Sequence, residues 1–309
     1  MNCFSMLEKI LMISNSPFFS VVIPNFNHGS YLKDAIDSVL NQDFKDWELL
    51  IVDNHSTDNS DEVISSYNDS RIRVFKIKNK GVIAKSRNLG IKNAQAKWIA
   101  FLDSDDIWYF NKLSKLRELT DKNFDIICSN EYRNDLEEGV KKPLYYNLKS
   151  NNFYRELLVK GNALSTSATI VSRDFLNKNK LGFSESLDFI TVEDYDFWMQ
   201  IALKNGSFGF CKEFLGEFRI HESNNSNNFK LHSNNLIKLL KKHVYEIQDF
   251  SEKDKLWDKI KPRLTLMFLK YNFEINFING FKYLVHKIMN SKLNDLNNLI
   301  ILIISKATR

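Results

Sequence analysis

The chain has 309 residues, enough to bury a substantial core as one larger domain with a smaller appended part. Its residues are 43% hydrophobic and 13% aromatic, a balance that excludes an intrinsically disordered protein. The 43 basic and 38 acidic residues give a net charge of +5 that is scattered along the sequence. Because no helix-turn-helix, zinc-finger or RNA-recognition signature is present, we expect no nucleic-acid partner.

The cysteines and apolar segments indicate the compartment. Cys3, Cys128 and Cys211 are odd in number and far apart, so they predict neither a disulfide framework nor a metal cluster. The N-terminal segment lacks the cleavage pattern of a secretory signal. The longest aliphatic run, Leu299 to Ile304, is far shorter than the ~20 residues that span a bilayer. We therefore expect a cytoplasmic protein.

The order of apolar and amphipathic segments predicts an α/β fold. From Phe19 onward, short apolar runs alternate with amphipathic segments, which is typical of a mostly parallel sheet flanked by helices. Ser30 is expected to cap the first helix. Strands are predicted at residues 20–24, 47–53, 72–77, 98–102, 124–128 and 166–172, and helices near residues 30–40, 58–67 and 82–94.

The pattern changes after about Asn228, where strand alternation gives way to helices with Lys-rich faces. The prediction is an N-terminal extension at 1–18, an α/β domain at 19–228 and a helical C-terminal region at 229–309. We expect the C-terminal helices to pack against the α/β domain. Peripheral contact with a membrane surface and a homodimer interface are the alternatives.

An acidic turn follows the fourth predicted strand and contains Asp103, Asp105 and Asp106. Open α/β sheets bind ligands beyond the carboxyl ends of their strands. Crowded carboxylates repel one another unless a cation neutralises them, and oxygen ligands suit Mg²⁺ or Mn²⁺ bound to substrate phosphates. An acid-rich helix start, which the helix dipole favours, explains the triplet equally well.

A second polar site follows the second predicted strand. Asp53 and Asn54 are placed to hydrogen-bond a base or a ribose. Ser56, Thr57 and Asp58 fit better a turn that caps the next helix. Two polar strand ends in one sheet favour a ligand site at that edge.

Glu193 and Asp194 directly precede a predicted amphipathic helix. One of these carboxylates is a candidate general base, because a hydroxyl is a poor nucleophile until a positioned base takes its proton. An acidic helix start without a catalytic role is the alternative.

Arg219 and His221 lie two residues apart and face the same side if their segment is extended. Arginine pairs with phosphate oxygens and histidine is a common metal ligand, so both suit a diphosphate or its metal. Solvated surface residues are the alternative.

Together these motifs resemble glycosyltransferase family 2, a large inverting family with the GT-A fold, over roughly Phe19 to Ser226. Six blocks occur in the family's order. They are Val21-Val-Ile-Pro-Asn-Phe-Asn27, Glu48 to Ser56, Gly81 with Ala84-Lys-Ser-Arg-Asn88, Phe101 to Asp106, Glu193-Asp-Tyr-Asp196 and Phe218-Arg-Ile-His221. The resemblance implies transfer of a sugar from a nucleotide-diphosphate-sugar donor.

The resemblance also implies roles for the site residues. Asp103 and Asp105 would form the family's Asp-x-Asp element, which contacts the ribose and holds Mn²⁺ or Mg²⁺ on the diphosphate, with His221 as a further metal ligand. Arg87 and Arg219 would neutralise charge on the leaving group. The residues expected to bind the donor are Pro24, Asn25, Asp53, Asn54, Arg87, Asp103, Ser104 and Arg219.

Asp194 matches the family's catalytic base, which would deprotonate the acceptor hydroxyl for a single displacement with inversion, and Glu193 is the second candidate. The nucleoside of the donor stays open between uridine, thymidine, guanosine and cytidine, because Asn54 is at the position where the family often has an aspartate. The resemblance makes a glycan or a lipid-linked acceptor, such as a lipopolysaccharide precursor, the expected partner. Attachment to the inner face of the cytoplasmic membrane would agree with such an acceptor.

Other classes fit less well. Nucleotidyltransferases and aspartate-nucleophile phosphatases also place acids at strand ends. The first would need a Gly-rich loop with a following basic residue near the first strand, and the second an aspartate pair directly after it, and the sequence has neither. A dinucleotide oxidoreductase would need a G-x-G-x-x-G sequence. A non-catalytic nucleotide-sugar or polysaccharide-binding protein of the same fold is the remaining alternative, although such a protein would be expected to lose one of the metal aspartates or the base.

Overall fold

The computed structural model describes residues 16–148, 152–222, 224, 228–247, 251–275 and 283. They form two units. The first comprises the described residues up to Leu148 and from Leu164 to Asn227, and the second those of Lys149–Ala163 and from Asn228 onward. The α/β domain predicted at 19–228 spans parts of both units, because the described residues up to Ala163 include a helix that buries its leucines within the second unit. Most of the predicted extension at 1–18 lies outside the described residues.

Four parallel strands form one half of the sheet, in the order β3-β2-β1-β4: β1 (Phe19–Asn25), β2 (Trp47–Asp53), β3 (Ile72–Lys76) and β4 (Trp98–Phe101). Every residue of β1 and β2 is buried, which agrees with their apolar runs. Asn25 pairs with Asp53 in the register, so these two strands end side by side.

Three helices connect these strands: α1 (Gly29–Leu40), α2 (Ser60–Ser65) and α3 (Ile83–Asn93). The apolar stripe of α1 is buried at Leu32 and Ile36, as its spacing predicted. The predicted cap, Ser30, lies inside α1. His28 is the N-cap residue and its side chain makes no capping hydrogen bond. Instead the Gly29 N–H donates to Asp58 Oδ2 at 2.7 Å.

The other half of the sheet is mixed, whereas the sequence predicted a mostly parallel sheet. It contains β5 (Ile107–Trp108), β6 (Ile126–Asp135), β7 (Val140–Leu144), β8 (Thr169–Ser172) and β9 (Phe208–Ile220). Strand β8 runs antiparallel to β4 and the order continues β6-β9-β5, with β7 paired to β6. The polar residues after the strand predicted at 124–128 continue β6 to Asp135, where it forms a hairpin with β7. The helices here are α4 (Lys112–Arg117), α6 (Arg173–Asn179) and α7 (Glu193–Leu203).

Lys112, the first residue of α4, is fully buried beneath this half of the sheet. Its Nζ lies 3.1 Å from Ser129 Oγ and 5.1 Å from the centre of the Trp108 ring. Glu131, also buried, accepts a hydrogen bond from Tyr146 Oη at 2.7 Å. Burial lowers the pKa of Lys112 to about 8 and raises the pKa of Glu131.

The second unit is helical where it is described: α5 (Phe153–Lys160), α8 (Phe229–Lys242), a π-helical turn (His243–Ile247) and α9 (Lys253–Ile275). Its buried apolar residues include Leu157, Leu158, Leu239 and Ile260. Among the described helices, none has the length and apolar character needed to cross a membrane. The aliphatic run at Leu299 to Ile304 lies outside the described residues.

Candidate active site

Asp53, the last residue of β2, is fully buried and accepts hydrogen bonds on both carboxylate oxygens. Oδ1 accepts from Asn25 Nδ2 at 2.8 Å and Ser56 Oγ at 2.5 Å, and Oδ2 accepts from the Ser56 N–H at 3.0 Å and Lys76 Nζ at 2.9 Å. Burial by itself raises the pKa of Asp53, but these hydrogen bonds outweigh it and hold the pKa below its ordinary value. Asp53 is therefore an ionised anchor that joins the ends of β1, β2 and β3.

A cleft of about 340 Å³ opens beyond the carboxyl ends of β1 and β2. It is lined by Pro24, Asn25, Phe26, Asn27, His28, Asn54, Asn79, Gly81, Ile83, Ser86 and Ser104. The structure therefore brings together four of the predicted donor-binding residues, Pro24, Asn25, Asn54 and Ser104. The other four, Asp53, Arg87, Asp103 and Arg219, are not part of the lining.

Amide groups and one aromatic ring give the cleft its chemistry. Asn25 Oδ1 is buried and has no hydrogen-bond partner among the described residues, and Asn54 Oδ1 accepts from the Asn79 N–H at 2.7 Å. The Phe26 ring is 52% exposed at the same place. Nucleobases stack on aromatic rings and hydrogen-bond to amides, so these groups suit a base. Sequence reasoning missed Phe26, although an aromatic directly after a buried strand was visible.

The acidic turn after β4 has its inner side fixed by protein contacts. The Asp103 carbonyl accepts from the Asp106 N–H at 3.1 Å, and the Asp103 N–H donates to Ser167 Oγ at 3.0 Å. Asp106 is buried, accepting from the Arg219 N–H at 2.8 Å and bonding to Ser167 Oγ. Burial and the charge of Asp105 raise the pKa of Asp106. Asp106 thus stabilises the turn through its contacts with Arg219 and Ser167.

Asp105 faces the residues at the end of β9. Its Oδ2 lies 3.1 Å from His221 Nε2 and 3.1 Å from Asn224 Nδ2. Tyr31 stacks on the His221 ring with 4.3 Å between centroids. Burial would raise the pKa of Asp105, but the hydrogen bond from His221 and the charge of His28 hold it below its ordinary value. Sequence reasoning missed Asn224, which reaches Asp105 only through the turn after β9.

The chemistry of the Asp105–His221 pair fits one side of a divalent metal site. Among the described residues, no three His, Cys, Asp or Glu side chains are placed to hold a metal ion together. Mn²⁺ accepts both a carboxylate and an imidazole, and metals that act on phosphates commonly take their other ligands from the substrate and from water. These residues therefore suit a metal that binds together with a diphosphate.

Arg87 connects the acidic turn to the Glu193–Asp194 motif. Its Nη2 lies 2.7 Å from Asp103 Oδ1 and its Nη1 lies 2.7 Å from Glu193 Oε1. Arg87 is only 3% exposed. Burial would lower its pKa, but Asp103 and Glu193 raise it, so the guanidinium stays charged. The arginine predicted to contact the donor therefore neutralises two protein carboxylates.

The Arg219 side chain likewise bonds to protein groups. Its Nε donates to the Asp105 carbonyl, its Nη1 lies 2.7 Å from Asp34 Oδ2, and its Nη2 donates to the Tyr31 carbonyl at 3.4 Å. The side chain is buried behind the acidic turn. Arg219 thus joins α1 to that turn and does not line the cleft.

Asp194 and Glu193 lie in the first turn of α7 but differ in surroundings. Glu193 is 6% exposed and ion-paired with Arg87, whereas Asp194 is partly exposed and accepts from the Tyr195 N–H at 2.7 Å. Thr191, just before this turn, has a φ of 72°, a strained conformation for a β-branched residue. The backbone is therefore sharply turned where the two acids begin.

A parallel half-sheet with a cleft at its carboxyl edge, an acidic turn and a mixed second half define a GT-A glycosyltransferase fold. Two solved structures share it. S. aureus TarS 1–349 in complex with UDP-GlcNAc aligns with a TM-score of 0.63 and 22% identity over 92% of this chain and 78% of that chain. Mannosyltransferase PcManGT from Pyrobaculum calidifontis, in complex with GDP-Man and Mn²⁺, aligns with a TM-score of 0.60 and 14% identity over 95% and 81%.

The sequence comparisons then give the family. Residues 20–178 match the family model Glycosyl transferase family 2, and the chain belongs to this family. The Escherichia coli glucosyltransferase WfgD, named as acting on UDP-Glc and alpha-D-GlcNAc-diphosphoundecaprenol, is 30% identical over 68% of this chain and 81% of its own length. TuaG of Bacillus subtilis, a putative teichuronic acid biosynthesis glycosyltransferase, is 28% identical over 71% and 86%.

Other relatives align over only part of their own length. An uncharacterized glycosyltransferase of Rickettsia felis is 37% identical over 67% of this chain but only 34% of its own length. GlyG of Streptococcus pneumoniae aligns over 40% of this chain and 42% of its own length.

The family and fold predicted from the sequence are confirmed.

Proposed function

We propose that this chain is an inverting glycosyltransferase that moves a sugar from a nucleotide-diphosphate-sugar to a hydroxyl of a glycan or glycolipid acceptor. One observation carries the proposal: the cleft with its amides and aromatic ring is also lined by Ser104, the residue next to Asp105, whose carboxylate contacts His221. The proposed base site therefore adjoins the Asp105–His221 pair, and a nucleotide carries its diphosphate next to its nucleoside in the same order.

The donor half of the proposal uses three acidic-turn and strand-end residues. Asp105 and His221 would hold Mn²⁺ or Mg²⁺ on the donor diphosphate, where the bound metal would supply Lewis-acid stabilisation of the leaving group. Asp103, 26% exposed and held by Arg87, contacts the ribose. TarS and PcManGT carry different nucleotides in their complexes, so uracil and guanine are both retained as candidate bases.

The acceptor half uses Asp194 as general base. The acceptor hydroxyl gives its proton to the Asp194 carboxylate as its oxygen bonds to the anomeric carbon and the bond from that carbon to the diphosphate oxygen breaks. The nucleoside diphosphate leaves with the bonding electrons, and the configuration inverts. Glu193 is the weaker candidate because its Oε1 already neutralises buried Arg87.

The setting of the reaction is also proposed. The names of WfgD and TuaG support an acceptor that is a lipid-diphosphate-linked sugar or a growing polysaccharide. We propose that the protein acts in the cytoplasm. Peripheral contact of its C-terminal region with the inner face of the membrane and a homodimer interface are the alternatives for that region. The buried free thiols of Cys128 and Cys211 agree with a reducing compartment.

The test measures nucleoside diphosphate released from a panel of nucleotide-sugars with Mn²⁺, with Mg²⁺ or with EDTA. We expect metal-dependent release from one donor. Asp105→Asn should abolish it, and Asp194→Asn should lower the rate about 10²- to 10⁴-fold while leaving donor affinity within about twofold. Asp121→Asn, at a 71% exposed carboxylate outside the cleft lining, is the matched control.

Glu193→Gln separates the two candidate bases. A larger loss of rate in Glu193→Gln than in Asp194→Asn, with both variants folded, would reverse their assignment. Donor binding without turnover, even with lipid-linked acceptors, would favour a non-catalytic binding protein of the same fold over the glycosyltransferase. No binding of any nucleotide-sugar in the presence of metal would reject the proposed function.

A further inference from the structure

His28 lines the cleft and also lies beside the Asp105 carboxylate. Its Nδ1 is 2.9 Å from Ser104 Oγ and 4.0 Å from Asp105 Oδ2. The side chain is 19% exposed. Asp105 and His221 do not line the cleft, so His28 connects the cleft wall with the metal-type pair.

Neighbouring rings restrict the position of His28. Its ring meets the His221 ring edge-on with 5.7 Å between centroids, and the Tyr31 ring edge-on with 6.1 Å. In the described part of the chain, Ser104 is its only side-chain hydrogen-bond partner. When the Ser104 hydroxyl donates to Nδ1, the ring proton lies on Nε2, which is then a hydrogen-bond donor for a ligand.

Among the described residues that line the cleft there is no lysine or arginine, and His28 is the one histidine. The two arginines expected near the donor, Arg87 and Arg219, instead neutralise Asp103 with Glu193 and Asp34. A phosphate group in this cleft would therefore meet an imidazole rather than a guanidinium.

We propose that His28 binds the diphosphate of the donor directly. Its ring donates a hydrogen bond to a phosphate oxygen that lies between the base site and the Asp105–His221 pair. This inference rests on the proposed function, because it takes a nucleotide-diphosphate as the ligand. With the base at Phe26 and Asn54 and the metal at Asp105, the diphosphate lies between them, and His28 lines the cleft with its Nδ1 4.0 Å from the Asp105 carboxylate. Diphosphate recognition is thereby shared between the metal and an imidazole of this chain.

The test compares ligands that differ only in their phosphates. Calorimetry with uridine, UMP and UDP, and with guanosine, GMP and GDP, is run in EDTA and repeated with Mn²⁺ on the wild type, His28→Phe and His28→Gln. Phenylalanine keeps a ring of similar size but has no donor, whereas the glutamine amide retains one. His55→Asn is the matched control, since His55 is an exposed histidine at the same edge that does not line the cleft, and asparagine tolerates its φ of 52°.

We expect His28→Phe to weaken binding of the nucleoside diphosphate about tenfold, to change nucleoside binding less than twofold, and His28→Gln to recover part of the loss. Unchanged diphosphate affinity in folded His28→Phe would overturn the inference. Equal losses for nucleoside and diphosphate would also overturn it, because His28 would then only shape the cleft. A loss seen only with Mn²⁺ would assign His28 to the metal instead. If the wild type binds none of these nucleotides even with Mn²⁺, it is the proposed function that fails.

Discussion

Arg87 and Glu193, 106 residues apart in the sequence, form a buried ion pair with 2.7 Å between Nη1 and Oε1. Arg87 lies on α3 and Glu193 begins α7. The same guanidinium bonds to Asp103 in the acidic turn, so one cation fixes the proposed donor side and the proposed base side relative to each other. A change at Arg87 should therefore affect both stability and catalysis.

Arg87→Met leaves two carboxylates without their cation. Removing one partner of a buried ion pair costs about 3 to 5 kcal/mol, and we expect a loss near the lower figure because Asp103 is 26% exposed. Urea unfolding at pH 7 measures it. Arg117→Met, which breaks a pair whose Asp121 is 71% exposed, should cost less than about 1 kcal/mol. Equal losses in the two variants would show that Arg87 is no more than a surface charge.

Asp53 should contribute stability that disappears in acid. Its folded pKa is below the ordinary value of 3.8 because hydrogen bonds from Ser56 and Lys76 outweigh burial. Between those two pKa values the unfolded chain binds more protons, so the stabilisation is present above 3.8 and is lost as the pH falls through the folded pKa. The stability difference between wild type and Asp53→Asn should shrink over that range in urea unfolding from pH 7 downward. A constant difference would contradict the shifted pKa.

Lys112 should show the opposite kind of pH dependence. Burial lowers its pKa from 10.5 to about 8, so the unfolded chain binds more protons between those values and stability rises with pH there. In Lys112→Met that slope, at most about 1.4 kcal/mol per pH unit, should disappear. Urea unfolding from pH 7 to 10.5 measures it. Lys122→Met, at an exposed lysine, controls for general charge effects. A slope that persists in Lys112→Met would assign it to another group.

His221 should determine metal affinity without being needed for the fold. His221→Asn removes the imidazole 3.1 Å from Asp105, and we expect the Mn²⁺ concentration for half-maximal activity to rise about ten- to a hundredfold at saturating donor. Direct titration of Mn²⁺ in the presence of a nucleoside diphosphate, followed by electron paramagnetic resonance, should show the same shift. Unchanged Mn²⁺ affinity, with folding intact, would remove His221 from the metal ligands.

Much of the first half of the fold followed from local rules. The apolar runs of β1, β2 and β4 are continuous because both faces of these strands are buried, and the polar residues directly after them had to share one edge. Asp53, Asn54 and Asp103 were found for that reason. The mixed half was harder to predict, because β6 becomes polar after Cys128 and its pairing with β9 is irregular, with register shifts after Ser129.

The direction of individual side chains could not be predicted from the sequence. Arg87 and Arg219 have the chemistry of phosphate ligands. In the structure each forms an ion pair with a carboxylate from a distant part of the chain and does not line the cleft. His28 follows a strand end and has no motif of its own. Its relation to Asp105 exists only because the residues around α1 lie next to the acidic turn, a contact across 77 positions of sequence.

The grouping of residues 149–163 with the C-terminal helices has a consequence for dissection of the chain. Each of the two units is made of two separate stretches, so no single cut in the polypeptide isolates the catalytic unit intact. Truncation before Phe229 would leave the apolar face of α5, with Leu157 and Leu158, without the helices that cover it. A minimal catalytic fragment therefore has to replace that segment with a short polar linker as well as end early.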